Sequence, residues 1–187
     1  MRNLGKIVLA AALAAGLSAC GSSDQTSPGS AGGVTIGKTT TTTTSAPASN
    51  LPACTVDQIP IGGQVGSKPT ITVPDTCSPP KELLSKDLTV GTGKDVTAGV
   101  TMQTHYVLVT WSDKVELDNS WDRGETFPLE NVGQAQVIDG WNEGVIGMKE
   151  GGRRLLVIPP EKGYGQGGRG IKPNETLVFV VDAVAVS

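Results

Sequence analysis

Val137-Ile138-Asp139-Gly140-Trp141-Asn142-Glu143-Gly144-Val145-Ile146-Gly147-Met148 is the stretch on which the reading of this chain turns. Ile138, Trp141, Val145 and Met148 recur at helical spacing and predict one apolar face of a short helix. Gly140, Gly144 and Gly147 each weaken such a helix by about 1 kcal/mol relative to alanine. A helix of this kind gains its stability from tertiary packing, with another backbone expected against the bare positions. Taken alone, the stretch favours a core role for Trp141 over one as the floor of a pocket.

Outward from it, Val100, Met102, Thr104, Tyr106 and Leu108 alternate with Thr101, Gln103 and His105. The alternation predicts a strand whose inner face includes Tyr106. Leu155 to Ile158 and Leu177 to Val181 are two further apolar runs rich in branched residues. Together they predict an α+β domain over residues 81–187, with one short helix packed on an antiparallel sheet around a single core. His105, the single histidine, points away from that inner face and lacks metal or nucleophile partners, so its role is read as structural.

Upstream lies a different composition. Cys54 and Cys77 remain as a pair once Cys20 is set aside, and in an exported chain the simplest reading is a disulfide. Closing that loop contributes about 3 kcal/mol in the chain-entropy model; two free buried thiols are the alternative. Two cysteines and one distant histidine do not supply a four-ligand zinc site, so no metal is expected. Ile59-Pro60-Ile61 and Thr70-Ile71-Thr72-Val73 predict two short strands around a glycine-rich turn. Residues 51–80 are thus expected to form a stapled extension laid over one side of the main domain. Residues 21–50 are almost all Ser, Thr, Gly, Ala and Pro, with six threonines from Thr39 to Thr44. Such a segment buries too little apolar surface to offset its ordering entropy, and reads as a tether of about 30 Å root-mean-square span.

At the amino terminus, Arg2 and Lys6 precede an apolar run from Ile7 to Ala15 that is too short for a membrane span. Residues 1–19 are therefore read as an export signal. Leu17-Ser18-Ala19-Cys20 resembles the lipobox of bacterial lipoproteins. The resemblance implies cleavage before Cys20, acyl chains on Cys20 that anchor the protein to a bacterial envelope membrane, and an extracytoplasmic location. An ordinary secretory signal cut near Ala19 is the alternative. The net charge is −3, and no basic run occurs in the chain. That balance argues against a nucleic-acid partner.

Several motifs then agree at once. Gln136 to Val145, Gly147-Met148, Gly151-Gly152, Leu156 to Pro159, Tyr164-Gly165 and Thr176 to Phe179 resemble the FKBP-type peptidyl-prolyl isomerases. His105-Tyr106, Leu117-Asp118 and Ser120 fall in the same family's order. The resemblance covers residues 81–187 and neither the tether nor the extension. It implies a half-barrel sheet wrapped around the short helix with a prolyl pocket between them. It also implies catalytic roles for Tyr106, Asp118, Ile138 and Tyr164, and substrate contacts from Trp141, Phe127, Val137 and Phe179. Arg123 matches a basic residue that pairs with the pocket aspartate, and Ile171 an apolar residue in the loop before the last strand. Leu117 stands where many members have phenylalanine, and the loop Gln166 to Pro173 is shorter than in the best-known members.

The chemistry suits such a residue set. Rotation about an X-Pro amide breaks resonance against a barrier of about 18–20 kcal/mol without making or cutting a covalent bond. It calls for a dry aromatic recess and a few aimed dipoles, and for no cofactor. Proline-containing polypeptides are the expected clients, macrolide immunosuppressants the expected ligands of the family's kind, and a monomer the expected state. Singly, Asp118 and Asn119 read better as turn residues, and Tyr164-Gly165 as a mobile loop; their joint match to one pocket reverses that. A lipid-tethered binder of proline-containing segments with little turnover is the competing function.

Overall fold

The structure is a computed structural model, and it describes residues 50–187. The signal segment 1–19, Cys20 and the tether as far as Ser49 lie outside the described residues. Residues 50–187 belong to one compact unit.

Two short strands come first, β1 (Ile61–Gly62) and β2 (Thr70–Ile71), paired antiparallel as a small hairpin. The main sheet follows with β3 (Leu84–Thr89), β4 (Met102–Thr110), β5 (Glu116–Asn119), β6 (Phe127–Leu129), β7 (Arg153–Ile158) and β8 (Leu177–Val186). Its order is β3-β7-β8-β4-β5, all antiparallel, with β6 pairing the first residues of β4. The helix α1 (Asp139–Gly144) is the single α-helix among the described residues. The α+β half-barrel around one short helix is therefore the observed architecture.

Strand alternation divides the apolar residues between two layers. Met102, Tyr106, Leu108, Leu156, Ile158, Phe179 and Val181 face α1, where they meet Trp141, Val145 and Met148. Val107, Val109, Trp111, Leu155, Val157, Val178 and Val180 face the other way and are equally buried. What covers them is the extension: Cys54, Ile59, Val73 and Cys77 pack directly on that face. Cys54 and Cys77 form a disulfide across a Cα–Cα distance of 5.0 Å. The extension thus lies over one side of the sheet.

Arg153 ties the two parts together from inside. Its guanidinium is 2 % exposed and forms a two-pronged pair with Asp182, at 2.5 and 2.7 Å. The same group donates to the Gly63 carbonyl at 3.2 Å and the Ser67 carbonyl at 2.7 Å in the hairpin connection. A buried charge is tolerated only when paired and hydrogen-bonded in this way.

The helix differs from its sequence reading in length and in what it packs on. It ends at Gly144, because Gly147 takes φ +82°, outside the helical region. Val145 is the C-cap, and Met148 reaches the core from beyond the helix. Side chains fill the bare positions: a Cβ on Gly140 would meet Ile158 Cγ2 at 2.4 Å, and one on Gly144 would meet Leu156 Cδ2 at 2.8 Å. The closing carbonyls are satisfied by a charge. Arg154 donates to the Gly144 and Ile146 carbonyls at 2.8 and 2.9 Å while paired with Asp87 at 2.6 Å.

Candidate active site

Four aromatic rings build the recess between sheet and helix. Trp141, in the middle of α1, is 4 % exposed and stands edge-on to Phe179 at 5.4 Å, Tyr106 at 5.5 Å and Phe127 at 6.0 Å. Such edge-to-face contacts fix ring planes as well as filling space. β4 brings Tyr106 and Leu108, β8 brings Phe179, β6 brings Phe127, and the turn into α1 brings Val137 and Ile138. With Asp118 and Tyr164 these residues enclose a cavity of about 110 Å³, the size of a small ring.

The polar rim is one connected cluster. The Tyr106 hydroxyl donates to Asp118 Oδ2 at 2.5 Å and accepts from Arg123 Nη2 at 2.9 Å. Arg123 Nη1 in turn donates to Asp118 Oδ1 at 2.5 Å. Burial pushes the Asp118 carboxyl up, but the Tyr106 hydroxyl and the Arg123 guanidinium outweigh it and hold it below the usual carboxylate value. Burial and the bond to Asp118 push the Tyr106 hydroxyl up, against the opposing pull of Arg123. Asp118 is thus an ionised acceptor and Tyr106 a neutral donor at neutral pH.

Backbone geometry sets the remaining groups. Ile138 has φ −64° and ψ 150°, and its carbonyl accepts from the Trp141 and Asn142 amides. Among the described residues its own N–H has no backbone acceptor, and Ile138 borders the recess. Asn142 secures the approach to the helix, accepting from the Ala135 N–H at 2.9 Å and donating to its carbonyl at 3.0 Å. Tyr164 stands in a loop held by its own bonds, Gly167 N–H to the Tyr164 carbonyl at 2.7 Å and Gly165 N–H to that of Pro160 at 2.9 Å. Gly167 takes φ +91°, and a Cβ there would meet the Ile171 carbonyl at 2.7 Å.

The structure brings Tyr106, Asp118, Phe127, Val137, Ile138, Trp141, Tyr164 and Phe179 to one cavity, with Arg123 on its rim. It does not bring two of the residues expected there. Leu117 is 39 % exposed and outside the lining, because its neighbour Asp118 takes the inward position on β5. Ile171 is buried in the core beneath the loop instead of facing the recess. Leu108 is a wall that the site reading missed, although its alternation with Tyr106 placed both on one face. His105 bonds to Ser120 through Nδ1 at 2.9 Å and stacks on Trp121 at 4.1 Å, away from the recess.

A half-barrel closed on one short helix carries here an aromatic slot rimmed by fixed dipoles, with the size and apolar walls to take a small ring. The profile of one family, described as FKBP-type peptidyl-prolyl cis-trans isomerase, matches residues 93–184. An FK506-binding protein of Streptomyces anulatus is 47 % identical over 122 residues, which is 64 % of this chain and 97 % of that protein. The FKBP-type peptidyl-prolyl cis-trans isomerase FkpA of Escherichia coli is 49 % identical over 78 residues, 41 % of this chain and 28 % of that one. The crystal structure of AtFKBP13 superposes with a TM-score of 0.51 at 30 % identity, covering 56 % of this chain and 93 % of that chain. The chain belongs to the FKBP-type peptidyl-prolyl cis-trans isomerases.

Proposed function

We propose that this isomerase works outside the cytoplasmic membrane, lipid-anchored through Cys20, and turns X-Pro bonds in exported proteins as they fold. The Leu17-Ser18-Ala19-Cys20 sequence behind a short apolar run supports the anchor, and the Cys54–Cys77 disulfide suits an oxidising compartment. Residues 21–50 then act as the tether between membrane and catalyst. Cys20→Ser is expected to move the protein out of the membrane fraction and abolish acyl labelling. Normal labelling and detergent partitioning of that variant would rule out the anchor.

One observation carries the catalytic reading: the Tyr106–Asp118–Arg123 cluster sits on the rim of a recess walled by aromatic rings. The prolyl ring enters that recess and is held by its apolar area. Water is excluded there, which disfavours the polar planar amide relative to the twisted form that has lost its resonance dipole. The Ile138 N–H and the Tyr164 hydroxyl hold the client's carbonyl groups, while the Asp118 carboxylate favours the rearranged amide electrostatically. No proton moves and no bond to the client forms. Macrolide immunosuppressants compete for the same recess.

Cis–trans exchange of a short X-Pro peptide, followed by NMR, tests this. Asp118→Ala and Tyr164→Phe are each expected to slow exchange about tenfold, the loss of about 1–2 kcal/mol from one dipole. Full activity in the double variant would sink the mechanism.

A further inference from the structure

The segment bearing Asp118 and Arg123 is held from behind by the N-terminal extension. Lys68 follows Ser67 in the connection between β1 and β2. Its Nζ lies 2.8 Å from Glu116 Oε1, and 3.1 and 2.9 Å from the two Asp122 carboxylate oxygens. Glu116 stands two residues before Asp118, and Asp122 immediately before Arg123. Asn119 completes the knot: Nδ2 donates to Glu116 Oε1 at 2.7 Å and to Asp122 Oδ2 at 2.9 Å, while Oδ1 accepts the Asp122 N–H at 2.7 Å.

Two carboxylates that share one amide nitrogen are close enough to repel. The Lys68 ammonium is the cation that lets them stay together, and in their field its pKa is raised. Nor is Lys68 loosely placed. The buried Arg153 guanidinium binds the Ser67 carbonyl at 2.7 Å, so Lys68 projects from backbone fixed to the main sheet. A second extension contact, Asp75 with Lys114, secures the turn just ahead of β5.

From this geometry we infer that Lys68 is a positioning residue of the isomerase site. It holds Glu116 and Asp122 together, so that Asp118 and Arg123 keep their places around the Tyr106 hydroxyl. The extension, outside the matched family region of residues 93–184, thereby becomes part of the catalytic apparatus. The inference rests on the catalytic reading of Asp118 given above.

The test compares five variants of the full chain by X-Pro exchange and thermal unfolding. Lys68→Met is expected to lower kcat about three- to fivefold, the range of a partly exposed ion pair, with KM little changed. Lys68→Arg is expected to restore kcat, since a guanidinium can reach both carboxylates. Lys86→Met removes a comparable extension contact, Lys86 with Asp57, at the opposite edge of the sheet, and is expected to leave kcat unchanged. In an Asp118→Ala background the loss caused by Lys68→Met is expected to vanish, because Arg123 serves exchange through its pair with Asp118. Wild-type kcat in Lys68→Met, an equal loss in Lys86→Met or no rescue by arginine would overturn the inference. If Asp118→Ala slows exchange and the Lys68 effect still adds in full, the positioning role alone falls. If Asp118→Ala is fully active, the catalytic reading and this inference fall together.

Discussion

Asp118 draws its state from two neighbours that oppose its burial. The Tyr106 hydroxyl and the Arg123 guanidinium keep the carboxylate charged below its ordinary titration range, and burial keeps Tyr106 neutral above its own. Neither group therefore changes charge near neutrality, and exchange rates are expected to be flat from about pH 6 to 9. The sign at the acid end follows from linkage. A depressed folded-state pKa adds stability above the unfolded value, and that stability is lost as pH falls through the folded value. Activity and stability should therefore fall together only below the usual carboxylate range. A rate profile that climbs through pH 7 would contradict this assignment.

At the scale of elements, α1 is a helix that its own composition disfavours. Gly140 and Gly144 exist because Ile158 and Leu156 occupy the space a methyl group would take. Gly140→Ala gains about 1 kcal/mol of helix propensity. It also places a Cβ 2.4 Å from Ile158 Cγ2, a branched atom in a fully buried side chain that cannot swing away. Overpacking of this kind costs about 1–3 kcal/mol, so the clash is expected to win and Tm to fall by several degrees. Gly140→Ala combined with Ile158→Val is expected to recover part of the loss in a melting experiment. A rise in Tm for Gly140→Ala alone would show that the helix–sheet contact is looser than described.

Across the whole molecule, the sheet is apolar on both faces and needs two covers. α1 and its flanking loops supply one, and the disulfide-closed extension supplies the other over Val107, Val109, Trp111, Val178 and Val180. The family pattern begins after the bridge, but the bridge closes a layer that packs directly on the sheet of that domain. Cys54→Ser with Cys77→Ser is expected to lower stability by about 3 kcal/mol, read as a drop in the urea midpoint. Dye binding to exposed apolar surface is expected to appear at lower denaturant in that variant. An unchanged midpoint would show that the extension holds without its staple.

Period along the chain was enough to determine the strand face of Tyr106 and the presence of a short helix around Trp141, and the family resemblance named eight of the nine residues that line the recess. The first two are local properties: alternation assigns a face, and recurrence at three to four residues assigns a helical stripe. β3, β5 and β6 gave no such signal, because β3 is largely exposed at an edge and β5 and β6 are only four and three residues long. The stop at Gly144, the exposure of Leu117, the burial of Ile171 and the place of Leu108 in the wall were decided by the tertiary structure. So was the grip of Lys68 on Asp122, a partner 54 residues away. Contacts over such separations depend on how the sheet curves and which layer lands on it, and no periodicity along the chain encodes that.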